Sequence, residues 1–410
     1  MNALSLSTAR FQNFGTFARL ASSVSVSILS KRSYVWDSNG DVHPAREQAP
    51  ITHDISVTQP ADRNGEIVTQ GRDAWPIKVA TDVIVTGHAH APAGEHVHAL
   101  LVAVSVGQHH KRIVAFGRRF ARYRNGQISF SSPERLTSVD VSWANAYGGI
   151  DPMVLPEGLT DTPAIAGKPI LELFPGAYPR NLAGTGYLIA ETPDLIDGLE
   201  LPQLEDPEHL LEPSSFLVRD PRAWWKCPLP AAFGWAHTLS FPRILHCGGK
   251  PYHLPQPPSE ALRECQLGLV DDATLADPKA RPMNVKLTNE AAPDMIMPFL
   301  RGNEVVRLRG FDAHGELRFR LPNERPEVEV AIDGESLPEL ATCIHTLAID
   351  ADARQFYMLH STRFAASQAL VGALREQASM DDVYPRCHAT VDGHALERAH
   401  WPNPETAHTP

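Results

Sequence analysis

Short stretches in which apolar and polar residues alternate recur along most of the chain, and that two-residue period predicts strands with one buried face. Residues 23–28 alternate serine with valine or isoleucine. Residues 83–90 and 97–106 are rich in β-branched side chains and are joined by Ala91-Pro92-Ala93-Gly94-Glu95, which predicts a hairpin between them. Residues 113–116 and, after Asn125-Gly126, residues 128–130 continue that meander. Later, residues 305–309 and 317–321 flank Phe311-Asp312-Ala313-His314-Gly315, a second hairpin pattern, and 343–349 with 355–360 form a third. Residues 328–332 read Val-Glu-Val-Ala-Ile, a further strand.

Helical signals are confined to 259–267 and 365–377. Residues 37–76 and 151–171 are punctuated by proline and glycine and read as turns and loops. Residues 208–292 carry the least pattern. Their aromatics, Trp224, Trp225, Phe233 and Trp235, read first as plugs of a core beneath long loops and second as a protein-binding surface. The expectation is a mainly β fold, a large two-sheet sandwich or open barrel-like scaffold with long loops and few short helices. One β-rich domain spans 1–364, with 208–292 as a candidate long insertion. A short helix and a loosely packed tail, either a partner-contacting arm or a frayed end, occupy 365–410.

Composition narrows the function. The formal net charge is −11, and 37 Lys+Arg scattered mostly singly argue against nucleic acid as a partner. Five cysteines without a Cys-x-x-Cys pair fit neither a zinc site nor a disulfide framework and suit a reducing compartment. The first 36 residues contain Arg10, Arg19, Lys31 and Arg32 and no acid, as a leader would, but their strand alternation assigns them to the fold. A run of about 20 apolar residues is missing, so no membrane span is expected, and the expected location is cytoplasmic.

The chemistry-bearing candidates are few. The chain contains no Gly-x-Ser-x-Gly elbow, Walker loop, Gly-x-Gly-x-x-Gly turn or His-Glu-x-x-His helix. His88 and His90 share one face of a strand, as do His96 and His98, and across the expected hairpin the two pairs converge. With Glu95 nearby, that arrangement suggests a cupin-like metal-dependent enzyme. The competing reading leaves these histidines exposed or stacked in pairs, without metal.

Three phrases couple aromatic or apolar anchors to glycines or prolines. The first runs from Trp143 to Tyr147, Gly148 and Gly149; the second holds Arg180, Asn181, Gly184 and Gly186; the third holds Leu201, Pro202, Glu205 and Pro207. Two more follow, at 293–304, with Pro298, Arg301, Gly302 and Glu304, and at 317–322. In this order the phrases resemble the DUF2169 family, as do Lys111 and Phe116-Gly117-Arg118-Arg119-Phe120, where Arg118 replaces an expected acid. Ala144, Asn145, Met295 and Ile296 also depart from the pattern.

The resemblance implies a bacterial adaptor encoded beside type VI secretion genes, without cofactor or catalytic residues. Its implied partners are a secreted effector and a spike-tip (PAAR-like) or spike (VgrG-like) protein, held through an exposed sheet edge or an apolar groove. The phrase residues would form a shared structural core, with cargo choice in the loops at 208–290 and the tail.

Overall fold

The longest alternating runs build the largest sheet. The computed structural model describes residues 11–19, 24–59, 65–75, 77–151, 176–189, 193–218, 224, 226–237, 240, 243, 288–332, 335–337, 340–366, 387–391 and 394–395. The seven-stranded sheet runs β1 (Gln12–Arg19), β2 (Val24–Trp36), β22 (Gln355–Ala366), β21 (Thr342–Asp350), β6 (Thr81–Thr86), β16 (Ile296–Met297), with β3 (Val42–Pro44) also on β2. Its pairs are antiparallel except β21 with β6.

A five-stranded sheet runs β15 (Leu204–Glu205), β9 (His109–Phe116), β8 (Ala99–Val106), β17 (Val305–Arg309), β18 (Leu317–Arg320). A four-stranded sheet runs β20 (Glu335–Ser336), β19 (Val328–Ile332), β23 (Cys387–Val391), β24 (His394–Ala395). Four strand pairs complete the described strands: β4 (Ser56–Thr58) with β5 (Ile67–Gln70), β7 (His88–His90) with β12 (Ser138–Asp140), β10 (Ala121–Arg124) with β11 (Gln127–Phe130), and β13 (Tyr147–Gly148) with β14 (Thr185–Gly186). Among the described residues no sheet closes into a barrel.

The two larger sheets share one core. Val83, Val85, Leu347, Ile349 and Met358 from the first meet Val102, Val104, Ile113, Val306 and Leu308 from the second in a single cluster of buried side chains. An aromatic stack crosses the interface: Tyr34 lies 5.1 Å from Phe356, Phe356 4.9 Å from Phe319, and Phe319 4.4 Å from Trp36, ring centre to ring centre. Such pairs each add about 0.5–1.5 kcal/mol beyond the apolar area they bury. The sandwich expectation therefore holds, and Trp224, Phe233 and Trp235 are buried plugs as read first, while Trp225 lies outside the described residues.

Three sequence expectations need correction. Residues 83–90 and 97–106 do not form a hairpin: β6 joins the large sheet, β7 pairs with β12, and β8 pairs with β9 and β17. Alternation fixes which face of a strand is buried but not which strand lies beside it. Ala365 and Ala366, where a helix was expected to begin, end strand β22 opposite Ser25 and Val24. Part of the expected loose tail, β23, pairs along β19. The helix expected at 259–267 lies outside the described residues. No helix among them is long and apolar enough to cross a membrane.

Two histidines sit inside the large sheet. His345 is buried with neither ring nitrogen hydrogen-bonded, and His360 is buried with its ring edge-on to Phe11 at 5.8 Å. Burial, reinforced by Arg325, holds the His360 imidazole down to about 4, and burial with Lys78 and Arg363 likewise lowers His345. The unfolded chain keeps these groups near 6.5, so below that pH it binds protons that the fold refuses. Stability is therefore expected to fall as pH drops from 6.5 toward 4. For His360 alone the loss between about pH 7 and pH 5 is about 2 kcal/mol, and urea titrations of wild type and His360→Leu at both pH values measure it as the excess fall in the wild type's unfolding free energy between them.

Candidate functional site

The family-like phrases are bonded to one another, and the bonds begin at sharp corners. A single 3-10 turn over Trp143–Asn145 leads into β13, which lies parallel to β14. Asn181 ties the corner: its side-chain amide donates to the carbonyls of Trp143 (2.8 Å) and Tyr147 (3.1 Å), while its own carbonyl accepts from the Gly149 N–H (2.8 Å). Thr185 Oγ1 donates to the Ala144 carbonyl at 2.8 Å, and Trp143 Nε1 to the Gly234 carbonyl at 3.0 Å. Gly148 holds φ +152°, and a Cβ there would stand 2.3 Å from the Asn181 carbonyl oxygen. Only glycine permits that approach. Gly149 packs against Gly184, and Gly186 against the Pro202 ring.

These corners enclose a second apolar cluster. Tyr147, Tyr178, Tyr187, Leu201, Phe216 and Trp224 are all within it. Tyr147 donates its hydroxyl to the Phe216 carbonyl at 2.7 Å, and burial pushes that phenol well above its ordinary range. Arg180 is buried 5.4 Å from the Trp224 ring centre. Cys227, also in this cluster, is a free buried thiol whose pKa burial raises to about 11, as suits a small apolar residue rather than a nucleophile.

Glu205 is buried. It pairs with buried Arg119 and accepts the Leu211 N–H at 2.7 Å, while Arg119 also donates to the Pro202 carbonyl at 2.8 Å and stacks 3.9 Å from the Phe116 ring centre. Pro207 is half-buried just beyond. Arg118, the departure, faces outward and pairs with Glu200 at 3.0 Å. Buried Lys111 bonds Asp294 at 2.7 Å, which ties the meander to the 293–304 phrase. In that phrase Glu304 accepts the N–H groups of Arg301 (2.7 Å) and Gly302 (2.9 Å), Pro298 and Arg301 are exposed, and the departing Met295 is core. Pro298, Arg301, Gly302 and Glu304 make none of the hydrogen bonds that build the Asn181 corner. Arg119–Glu205 and Lys111–Asp294 were invisible as pairs because each joins residues some 80 to 180 positions apart.

The family model described as "Uncharacterized protein conserved in bacteria (DUF2169)" matches residues 23–361. The chain belongs to the DUF2169 family. No curated protein and no solved structure matches it. All the phrases above fall inside the matched span, so their buried cross-links belong to the DUF2169 part of the chain.

The four candidate histidines do not converge. His88 Nδ1 bonds Asp352 Oδ2 at 2.6 Å on the surface, His90 Nε2 lies 4.0 Å from Asp352 Oδ1, and the hydrogen bond to Asp352 raises the pKa of His88. His98 Nδ1 instead contacts the Pro133 carbonyl at 2.6 Å, and His96 is exposed. The reason is the strand pairing: β7 borders β12, not the 96–98 segment. No group of three metal-ligating side chains occurs among the described residues.

Sequence reasoning missed a buried charged centre. Asp82 Oδ2 accepts Lys78 Nζ (2.6 Å) and the Glu290 N–H (2.8 Å), and Oδ1 accepts the Asn289 amide (2.9 Å) and the Ala291 N–H (3.2 Å). Glu290, its carboxyl raised by burial, sits 3.9 Å from Lys78 and 3.4 Å from Arg243. The signal available was Asn289-Glu290, two polar residues directly preceding an apolar phrase. Every charge in this centre has a fixed internal partner, so the arrangement clamps the 288–291 segment onto β6.

Proposed function

We propose that this DUF2169 protein is a non-catalytic adaptor of the bacterial cytoplasm that binds a type VI secretion effector. It then helps load that effector onto a spike-tip (PAAR-like) or spike (VgrG-like) protein. One observation carries the reading: β1 borders β2 along its whole length and, among the described residues, has no strand on its other side. Such an edge offers a row of backbone donors and acceptors to an extended segment of a partner. The family phrases support it, because their polar groups bond backbone carbonyls and one another. They hold a scaffold in shape, with no nucleophile set beside a base.

The test is co-expression with the effector and spike-tip proteins encoded next to this chain. The expected result is a co-purifying complex in which hydrogen exchange of the β1 amides slows. Recovery of the chain alone would defeat the adaptor reading, and a complex with unchanged β1 exchange would remove the strand-addition route.

A further inference from the structure

The outward face of the five-stranded sheet gathers positive charge on a protein whose formal charge is −11. The alternation that sends the valines of β8 into the core turns Arg112 of β9, Arg307 and Arg309 of β17, and Arg318 and Arg320 of β18 to solvent. Register then sets them in rows. Arg307 lies opposite Arg318 on one side and Ser105 on the other, while Arg309 lies opposite Ala103, which lies opposite Arg112. Ala103 and Ser105 of central strand β8, with exposed Leu101 beyond them, thus lie between Arg112 of β9 and Arg307 and Arg309 of β17, flanking strands about 10 Å apart at the ordinary strand spacing.

Two carboxylates answer five guanidinium groups. Glu316 approaches Arg307 at 3.5 Å and Glu208 meets Arg112 at 3.0 Å. Arg320 donates to the Asn303 carbonyl at 2.9 Å. Arg309 and Arg318 have no carboxylate partner among the described residues. Like charges directly across a strand pair destabilise a sheet, so the fold gains nothing from Arg307 facing Arg318. An anionic occupant would turn that cost into attraction.

We propose that this trough docks an extended, carboxylate-rich polypeptide segment of a partner protein. Same-face residues of an extended chain repeat about every 6.8 Å, which is also the interval from Arg307 to Arg309, so acids at alternate positions reach successive arginines. Nucleic acid fits less well. Phe116, the aromatic next in the outward alternation of β9, is covered by the Arg119 guanidinium at 3.9 Å, leaving no ring for base stacking there. The inference does not depend on the partner being a secreted effector.

The experiment is fluorescence anisotropy of the full chain with a labelled peptide of alternating Glu and Ser at low salt. The wild type should bind it, and the double variant Arg307→Glu/Arg309→Glu should bind about tenfold more weakly or worse. Arg122→Glu, on the β10–β11 hairpin, should leave affinity unchanged. Arg318→Gln should weaken binding while melting at or above the wild-type temperature, a split that a purely structural arginine would not give. Failure of the wild type to bind, equal binding by the double variant, or tighter binding of a single-stranded oligonucleotide would overturn the proposal.

Discussion

Asp82→Ala is expected to lower the unfolding free energy by about 4 kcal/mol or more, a large share of the 5–15 kcal/mol that holds a typical domain together. The loss has two sources. Lys78 remains fully buried with its bond to the Thr346 hydroxyl (3.2 Å) and only the longer 3.9 Å approach to a carboxylate, that of Glu290, while the Glu290 and Ala291 N–H groups lose their acceptor and the Asn289 amide keeps only the Ala80 carbonyl. Lys78→Met should cost less, because Asp82 would keep those three donors while the methionine fills the lysine's volume. The order of the two urea midpoints checks the account. An Asp82→Ala midpoint equal to or above that of Lys78→Met would mean that the backbone donors, and not the ion pair alone, had been wrongly placed at the centre of the clamp.

Gly148→Ala is expected to cost about 3 kcal/mol or more, through strain at φ +152° and a Cβ that meets the Asn181 carbonyl oxygen. That oxygen is backbone, so the clash cannot be relieved by turning a side chain. Moving it would break the Asn181–Gly149 bond and disturb the parallel pairing of β13 with β14. Asn181→Ala, which removes two bonds to buried carbonyls without adding bulk, should cost about 2–3 kcal/mol. Thermal melts order the variants, and near-ultraviolet circular dichroism of the Tyr147, Tyr178 and Tyr187 cluster should report loosened packing in both. An unperturbed tyrosine signal in Gly148→Ala would show that the corner is softer than its geometry implies.

Much of this molecule could be read before its shape was known. Alternation located β8, β9, β17 and β18, because a half-buried strand must repeat every two residues whatever it pairs with; β2, β21 and β22 were located too, but the expected wet face is missing there, since Ser27, Ser30, Thr346, His360 and Ser361 are buried as well. The phrases around Trp143 and Asn181 stood out because glycine beside a large aromatic marks a backbone held in close quarters, and the one around Glu205 because prolines beside leucines force a turn against an apolar anchor. Their partners did not. Arg119 meets Glu205, and Lys111 meets Asp294, only because separate strands and loops are folded over the same core.

The histidine pairs show the limit most clearly. Local pattern placed His88 with His90 and His96 with His98, and a short Pro-Gly loop between strands suggested that the pairs faced each other. In the fold each flanking strand pairs elsewhere: β6 beside β21, and β8 between β9 and β17. Burying those faces outweighs closing the short loop. The sequence by itself determined where most of the long strands lie, the buried face of the five-stranded sheet and the glycine corners, since each depends on a residue and its near neighbours. Only the tertiary structure decided which strands adjoin, which charges meet inside and which arginines share a face, since each of those is a contact between residues far apart in the chain.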